Sequence, residues 1–497
     1  MKRFNPVNIL LTTLLGLTVW SCNSSTEEYF IPSVDYSNMA VTSFSLGKND
    51  NILANLDTIF FSIDLNNARI FNADSLPVGT VLTKTVMNIS LPMVSKATLY
   101  FNGDEGRDSV NYLTNSSDSV NLGNGPVTLS VVSYDGASKI DYTITVNIHK
   151  SVPDTLEWGG TAYRDLPTTA AHPTAVRTVE WQNRYYCLTT DGTDAVMGVA
   201  SEPAQEEWDY TRVTLPAGAD VRSLTATGDA LYILAGDGSL YRSGDAGLTW
   251  GNTGARMSHI YGNYDGKLVG NLLSGNDYVQ IVYPDATDPA SATRLPDGCP
   301  VSGTSNPLTY TTEWSDYPMM MVTGGVDARG KCIGSSWAFD GSQWAAISVD
   351  AGLPRSGMSV FPYYTFRTNE YWVVTRQSVL FVIGGKTDAG KNDNTVYLSR
   401  DRGVHWYKAP ANLQIPEYVT PFADADAFVS SSLLSSRSRS VWHELEPAGK
   451  LLSRATQPVT SWECPYIYVF GGNNSEGALV DKVWRGVINR LTFKPIH

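Results

Sequence analysis

The groups in this 497-residue chain that could bind or catalyse are 49 acidic residues, six histidines, five cysteines and 54 aromatic rings, counting 13 Trp, 26 Tyr and 15 Phe. The histidines, His149, His172, His259, His405, His443 and His497, fall into no HxH, HExxH or His–Cys spacing, so no metal centre is read from them. Asp388 and Asp393, in the segment 386–394, offer oxygens for calcium, but their spacing fits no EF-hand and the segment reads as a surface loop. Glycoside hydrolysis needs two carboxylates about 5–9 Å apart across the sugar. No pair stands out; Glu313 and Asp316 sit in the polar stretch 311–316, which reads as a solvated turn. There is no Walker loop, no GxSxG and no GxGxxG at a strand–helix junction. No catalytic residue and no cofactor follow from these patterns. Among the rings, Trp314, Tyr364 and Trp462 precede apolar strands in comparable positions and could stack on a sugar, the alternative being that they fill space between sheets.

These residues must be positioned by β-structure. Hydrophobic residues make up 42% and charged residues 17%, enough apolar material for packed cores, and Gly (42) and Tyr (26) are plentiful. A net charge of −13 lacks the basic surface that a nucleic-acid binder requires. At the N-terminus, Lys2 and Arg3 precede the apolar run 9–19, which is shorter than the ~20 residues that span a bilayer. The run ends at Val19-Trp20-Ser21-Cys22, an apolar residue, a small residue and a cysteine that resemble a bacterial lipobox. The resemblance implies a signal peptide over 1–21, acylation of Cys22 and anchorage to a lipid bilayer at the outer membrane or cell surface, with 22–39 as a polar tether. Trp20 is bulkier than that pattern favours. Cys187, Cys299, Cys332 and Cys464 contain no CxxC, and their pairing, if any, stays open among three connectivities.

Residues 40–150 carry five to seven short alternating strands with turn signals at Asn102-Gly103 and Asp135-Gly136, the pattern of an immunoglobulin-like β-sandwich. A linker over 151–154 follows. Residues 155–497 repeat: a hydrophobic strand ends in small residues near 190, 236, 269, 324, 384, 430 and 471. The mean step is about 47 residues, within the range of β-propeller blades. Seven markers favour seven blades, with six the alternative. Three strands end in glycine pairs, Gly324-Gly325, Gly384-Gly385 and Gly471-Gly472. Two units share Ser-x-Asp-x-Gly-x-x-Trp, namely Ser243, Asp245, Gly247 and Trp250, then Ser399, Asp401, Gly403 and Trp406.

The glycine pairs resemble the kelch repeat, and the Ser-x-Asp motif resembles the Asp-box of sialidase-type propellers, with His405 where a Thr is usual. That resemblance implies structural turns on the outside of the propeller. Arg177, Arg222 and Arg367 fall near the expected inner strands, but no arginine grip on a carboxylate can be read from them. The whole arrangement, with the sandwich segment 70–80 and the closing segment 483–491, resembles a lipoprotein family of gut Bacteroidetes whose function is unknown. The functional expectation is therefore a lipid-anchored envelope protein whose propeller is a non-catalytic binding module for a glycan or a protein. A glycan-active hydrolase or lyase, and a structural subunit of an outer-membrane assembly, are the alternatives.

Overall fold

In the computed structural model, residues 36–72, 75–149, 152, 154–312, 315–348, 354–368, 374–430 and 465–489 are described. Cys22, Trp314, Glu313, Trp462, Cys464 and His443 lie outside them. The chain divides into two compact units, one running to Asn72 and through Val81–Val146, the other comprising Ala73–Thr80 and Asn147 onward.

The first unit is all β. Ser43–Leu46 pairs with Met87–Ser90. A six-stranded sheet runs in the order Ser62–Asp64, Arg69–Phe71, Lys139–Thr145, Val127–Ser133, Val94–Gly103 and Gly106–Asn111. All its pairings are antiparallel except that of Arg69–Phe71 with Lys139–Thr145. Asp135-Gly136 makes a turn, with Gly136 at φ +70°. Asn102-Gly103 instead ends a strand, and the turn falls one step later, since Gly103 is opposite Gly106. Alternate residues such as Val127, Leu129 and Val131 face the core and are fully buried.

The second unit is built from successive antiparallel sheets. The first sheet spans Ala175–Trp181, Arg184–Thr190, Ala195–Ala200 and Asp209–Val213. The second spans Ala219–Ala226 to Gly251–Arg256, the third His259–Tyr264 to Asp277–Tyr283, the fourth Leu308–Thr312 to Trp344–Ala346, and the fifth Ser359–Thr368 to Tyr407–Lys408. The last holds Asp426–Ser430, Tyr466–Phe470 and Lys482–Asn489, completed by Thr155–Trp158 and Arg164–Asp165 on its outer strand.

Six apolar clusters fill the wedges, one between each sheet and the next. One unites Val176, Cys187 and Trp208 of the first sheet with Phe428, Tyr468 and Phe470 of the last, so the ring is closed. The other five join first to second, second to third, and so on to the last. This is a β-propeller, and among the described residues it has six blades rather than the favoured seven. The markers near 430 and 471 are neighbouring antiparallel strands of one blade, the first of them an inner strand; every other marker is a second strand.

The glycine pairs explain how blades abut. Each ends a second strand, and all six glycines have positive φ. A Cβ on the first glycine would strike the chain entering the next blade: Arg355 O at 2.5 Å from Gly324, Phe422 O at 2.7 Å from Gly384, and the side chain of Val176 for Gly471. A Cβ on the second would strike the chain entering its own blade, Ser302 O at 2.7 Å from Gly325 and Ala423 O at 2.9 Å from Gly472. Only glycine permits both this backbone conformation and this approach.

Candidate functional site

The inner strands of the blades surround a cavity of about 1260 Å³. Its polar wall comes from five blades. The last blade supplies Asp426 and, from the loop before it, Asp424; the first supplies Arg177 and Glu180; the second Asp220 and Arg222; the third His259 and Asp265; the fourth Thr304 and Asn306 from the segment leading into it.

Asp426 lies where the ring closes. Its Oδ1 is 2.8 Å from Arg177 Nη1, and its Oδ2 accepts the Thr178 N–H at 2.6 Å. Burial pushes the Asp426 carboxyl up to about 6, against the pull of Arg177 and of the Thr178 N–H. His259 bonds through Nε2 to Thr304 Oγ1 at 3.0 Å. Burial, helped by the Arg177 charge, pushes its imidazole down to about 4, so it is neutral at neutral pH. Arg177 Nε is buried and unbonded. Arg222 reaches over the mouth, donating from Nη2 to Asn473 Oδ1 at 3.5 Å, while Asn473 Nδ2 donates to Asp424 Oδ2 at 3.4 Å. A polar chain thus joins the second blade to the last across the inner strand of the first. The aromatic residues in the wall, Tyr261, Tyr310 and Phe428, are 2%, 7% and 7% exposed, so their ring faces are packed away from the cavity.

The sequence-expected residues fall elsewhere. Tyr364 lies on the inner strand Ser359–Thr368, while Trp314 and Trp462 are outside the described residues. Neighbouring Tyr363 is 2% exposed and donates to Pro465 O at 3.0 Å, a ring that fills the wedge between two blades. Asp388 and Asp393 are taken up structurally. Asp388 Oδ1 accepts the Cys332 N–H at 2.7 Å, and Asp393 pairs with buried Arg355 at 2.7 Å. Arg355 also donates to Gly384 O, Asp393 O and Thr395 O, binding the loop into the fifth blade to that blade's own hairpin. No group of three or more metal-ligating side chains occurs among the described residues. Cys187, Cys299 and Cys332 are buried free thiols. Arg177 and Arg222, noted in the sequence only for their strands, do line the cavity; Asp424, Asp426 and Glu180 carried no sequence signal.

The two Ser-x-Asp turns join third and fourth strands, at the opposite end of the blades from the glycine pairs. Ser243 Oγ donates to Asp245 Oδ1 at 2.8 Å and accepts the Gly247 N–H at 2.9 Å. Thr249 donates to Asp245 from N at 2.9 Å and from Oγ1 at 2.6 Å, holding that carboxyl below the usual range. The second turn repeats this with Ser399, Asp401 and Gly403, and His405 donates through its N–H at 2.9 Å while its Nδ1 sits 2.6 Å from Asp401 Oδ2. The histidine occupies the place of the threonine hydroxyl. Each turn presses back on the preceding blade, Gly247 and Trp250 beside Met197, and Gly403 and Trp406 beside Met321. Trp406 Nε1 donates to Ser336 Oγ at 2.9 Å; Trp250 Nε1 is buried with no hydrogen-bond partner.

Family comparison agrees with a two-unit chain ending in a propeller. Residues 152–496 match the DUF6242 beta propeller domain and residues 35–146 the DUF6242 N-terminal domain. The chain belongs to the DUF6242 family. No curated protein matches this member. Among solved structures it is similar to YCF48 bound to D1 peptide, at 13% identity and a TM-score of 0.28, over 74% of this chain and 87% of that one. It is similar also to the N-terminal domain of Nup159, at 12% identity and TM-score 0.28 over 91% and 96% of the two chains. A third is YCF48 from Cyanidioschyzon merolae, at 10% identity and TM-score 0.26 over 66% and 98%.

Proposed function

We propose that this DUF6242 protein is a cell-envelope lipoprotein, anchored through acylated Cys22, whose propeller binds a glycan or a protein without catalysing a reaction. The first unit, read as an immunoglobulin-like spacer, lies between that anchor and the propeller in the chain. The observation that supports a binding role is the cavity: five blades converge on it with donors and acceptors, on a rigid ring. The net charge of −13 sets the protein against polyanionic partners. Support for the anchor is the leader pattern and Cys22. No helix among the described residues is long and apolar enough to cross a membrane.

One observation favours a second reading. A carboxyl near pH 6 inside a cavity suits a general acid, and Asp426 has one. Its engagement by Arg177 and the Thr178 N–H supports a structural duty instead. A glycan array combined with a polysaccharide-depolymerisation screen separates the readings. Binding without product is expected; released sugar would replace the binding module with a hydrolase or lyase. For the anchor, incorporation of a labelled fatty acid is expected in the wild type and absent in Cys22→Ser.

A further inference from the structure

We propose that the propeller cavity takes an uncharged, hydroxyl-rich ligand, a neutral saccharide held by the Arg222 guanidinium of the second blade and the Asp220 and Asp424 carboxylates at the same mouth. The inference rests on the reading of the cavity as the binding site and adds the ligand's chemistry.

The argument is one of charge and hydrogen-bond geometry. Five carboxylates, Glu180, Asp220, Asp265, Asp424 and Asp426, line the cavity against two guanidiniums. Asp426 already offsets Arg177 at 2.8 Å. An anionic ligand would meet a surplus of like charge. A cationic ligand would be drawn to the surplus carboxylates but repelled beside Arg222, an exposed guanidinium that makes a long 3.5 Å contact to Asn473. A ligand without charge but with many hydroxyls is repelled by neither. A carboxylate presents two acceptors side by side and a guanidinium two or more donors in a plane, and adjacent hydroxyls on a sugar ring can answer both. Among the described residues, the wall's rings Tyr261, Tyr310 and Phe428 are buried, so recognition there falls to hydrogen bonds rather than stacking. The weak Arg222–Asn473–Asp424 chain supplies groups whose present bonds a ligand can replace at small loss.

The test is calorimetric titration of the full chain with five probes: neutral xylo-oligosaccharides, neutral manno-oligosaccharides, oligogalacturonate, chitosan oligosaccharides and a basic peptide. A neutral oligosaccharide is expected to bind. Its affinity should fall at least tenfold in Arg222→Met and in Asp424→Asn, with melting curves unchanged. Arg222 is exposed, and Asn tolerates the φ of +57° at position 424, so both variants should fold. Arg212→Met, on the outer strand of the first blade, should bind as the wild type does. Tighter binding of oligogalacturonate, chitosan or peptide would overturn the ligand chemistry while leaving the cavity as the site. Neutral binding unaltered in both variants would overturn the cavity reading itself. No binding of any probe would overturn the proposal.

Discussion

At the scale of single residues, two titratable groups of the cavity wall, Asp426 and His259, pull in opposite directions. Asp426 has its carboxyl raised to about 6 from 3.8, so its share of stability is present below pH 3.8 and lost as pH rises through 6. His259 is lowered from 6.5 to about 4, so its share is present above pH 6.5 and lost as pH falls towards 4. Between about pH 4 and 6 the two slopes oppose each other. The urea midpoint of His259→Gln, taken as a difference from wild type, should therefore rise as pH drops from 7 to 4.5. For Asp426→Asn the same difference should fall. The turn at Asp401 offers a second test. His405→Thr should leave the melting temperature nearly unchanged, because Thr249 makes the equivalent bonds at Asp245. Gly403→Ala should cost about 2–3 kcal/mol in a denaturant titration, since φ is +88° and the new methyl would meet Met321.

At the scale of elements, glycines that face a neighbouring blade differ from those that face solvent. Gly384→Ala should cost about 3 kcal/mol, because its methyl would lie 2.7 Å from Phe422 O in a left-handed conformation. Gly228→Ala, with open space around it and no positive φ, should stay within about 0.5 kcal/mol. Equilibrium unfolding of the pair measures the contrast. The same residues show what the sequence could reveal. Glycine pairs and Ser-x-Asp turns are local patterns, contiguous in the chain, so the repeating sheet and its hairpins were legible from them. The described residues hold six blades where seven were favoured because Ala427–Ser430 looks like any other apolar strand; its place as an inner strand depends on pairing with Tyr466–Phe470 across a long interval. The cavity was illegible for a related reason. Arg177, Arg222, His259, Thr304 and Asp426 come from five blades and span some 250 positions, and none sits in a motif of its own. Expectation turned to Trp314, Tyr364 and Trp462 because rings stand out by type, whereas a lone aspartate in an apolar strand gains meaning only once the ring brings Arg177 to it.

At the scale of the whole molecule, closure depends on strands from both ends of the propeller sequence sharing one blade. Thr155–Trp158 lies along Gly486–Asn489, with Trp158 packed over Gly486, and Arg164–Asp165 continues the same edge. A chain starting at residue 166 should bare the outer edge of Lys482–Asn489. It should elute from a sizing column as oligomers, since an unpaired strand edge recruits others. The arrangement has a further consequence. Since the first and last propeller strands are already neighbours, the order of blades along the gene is one of several that would give the same ring. Joining Asn489 to Thr155 by a short peptide and opening the chain in a surface loop, for instance the largely exposed stretch 285–291 within the third blade, should yield a circular permutant with the same cavity. The propeller can then be hung from its neighbours at any blade, which frees the direction in which the cavity faces from the direction in which the polypeptide is read.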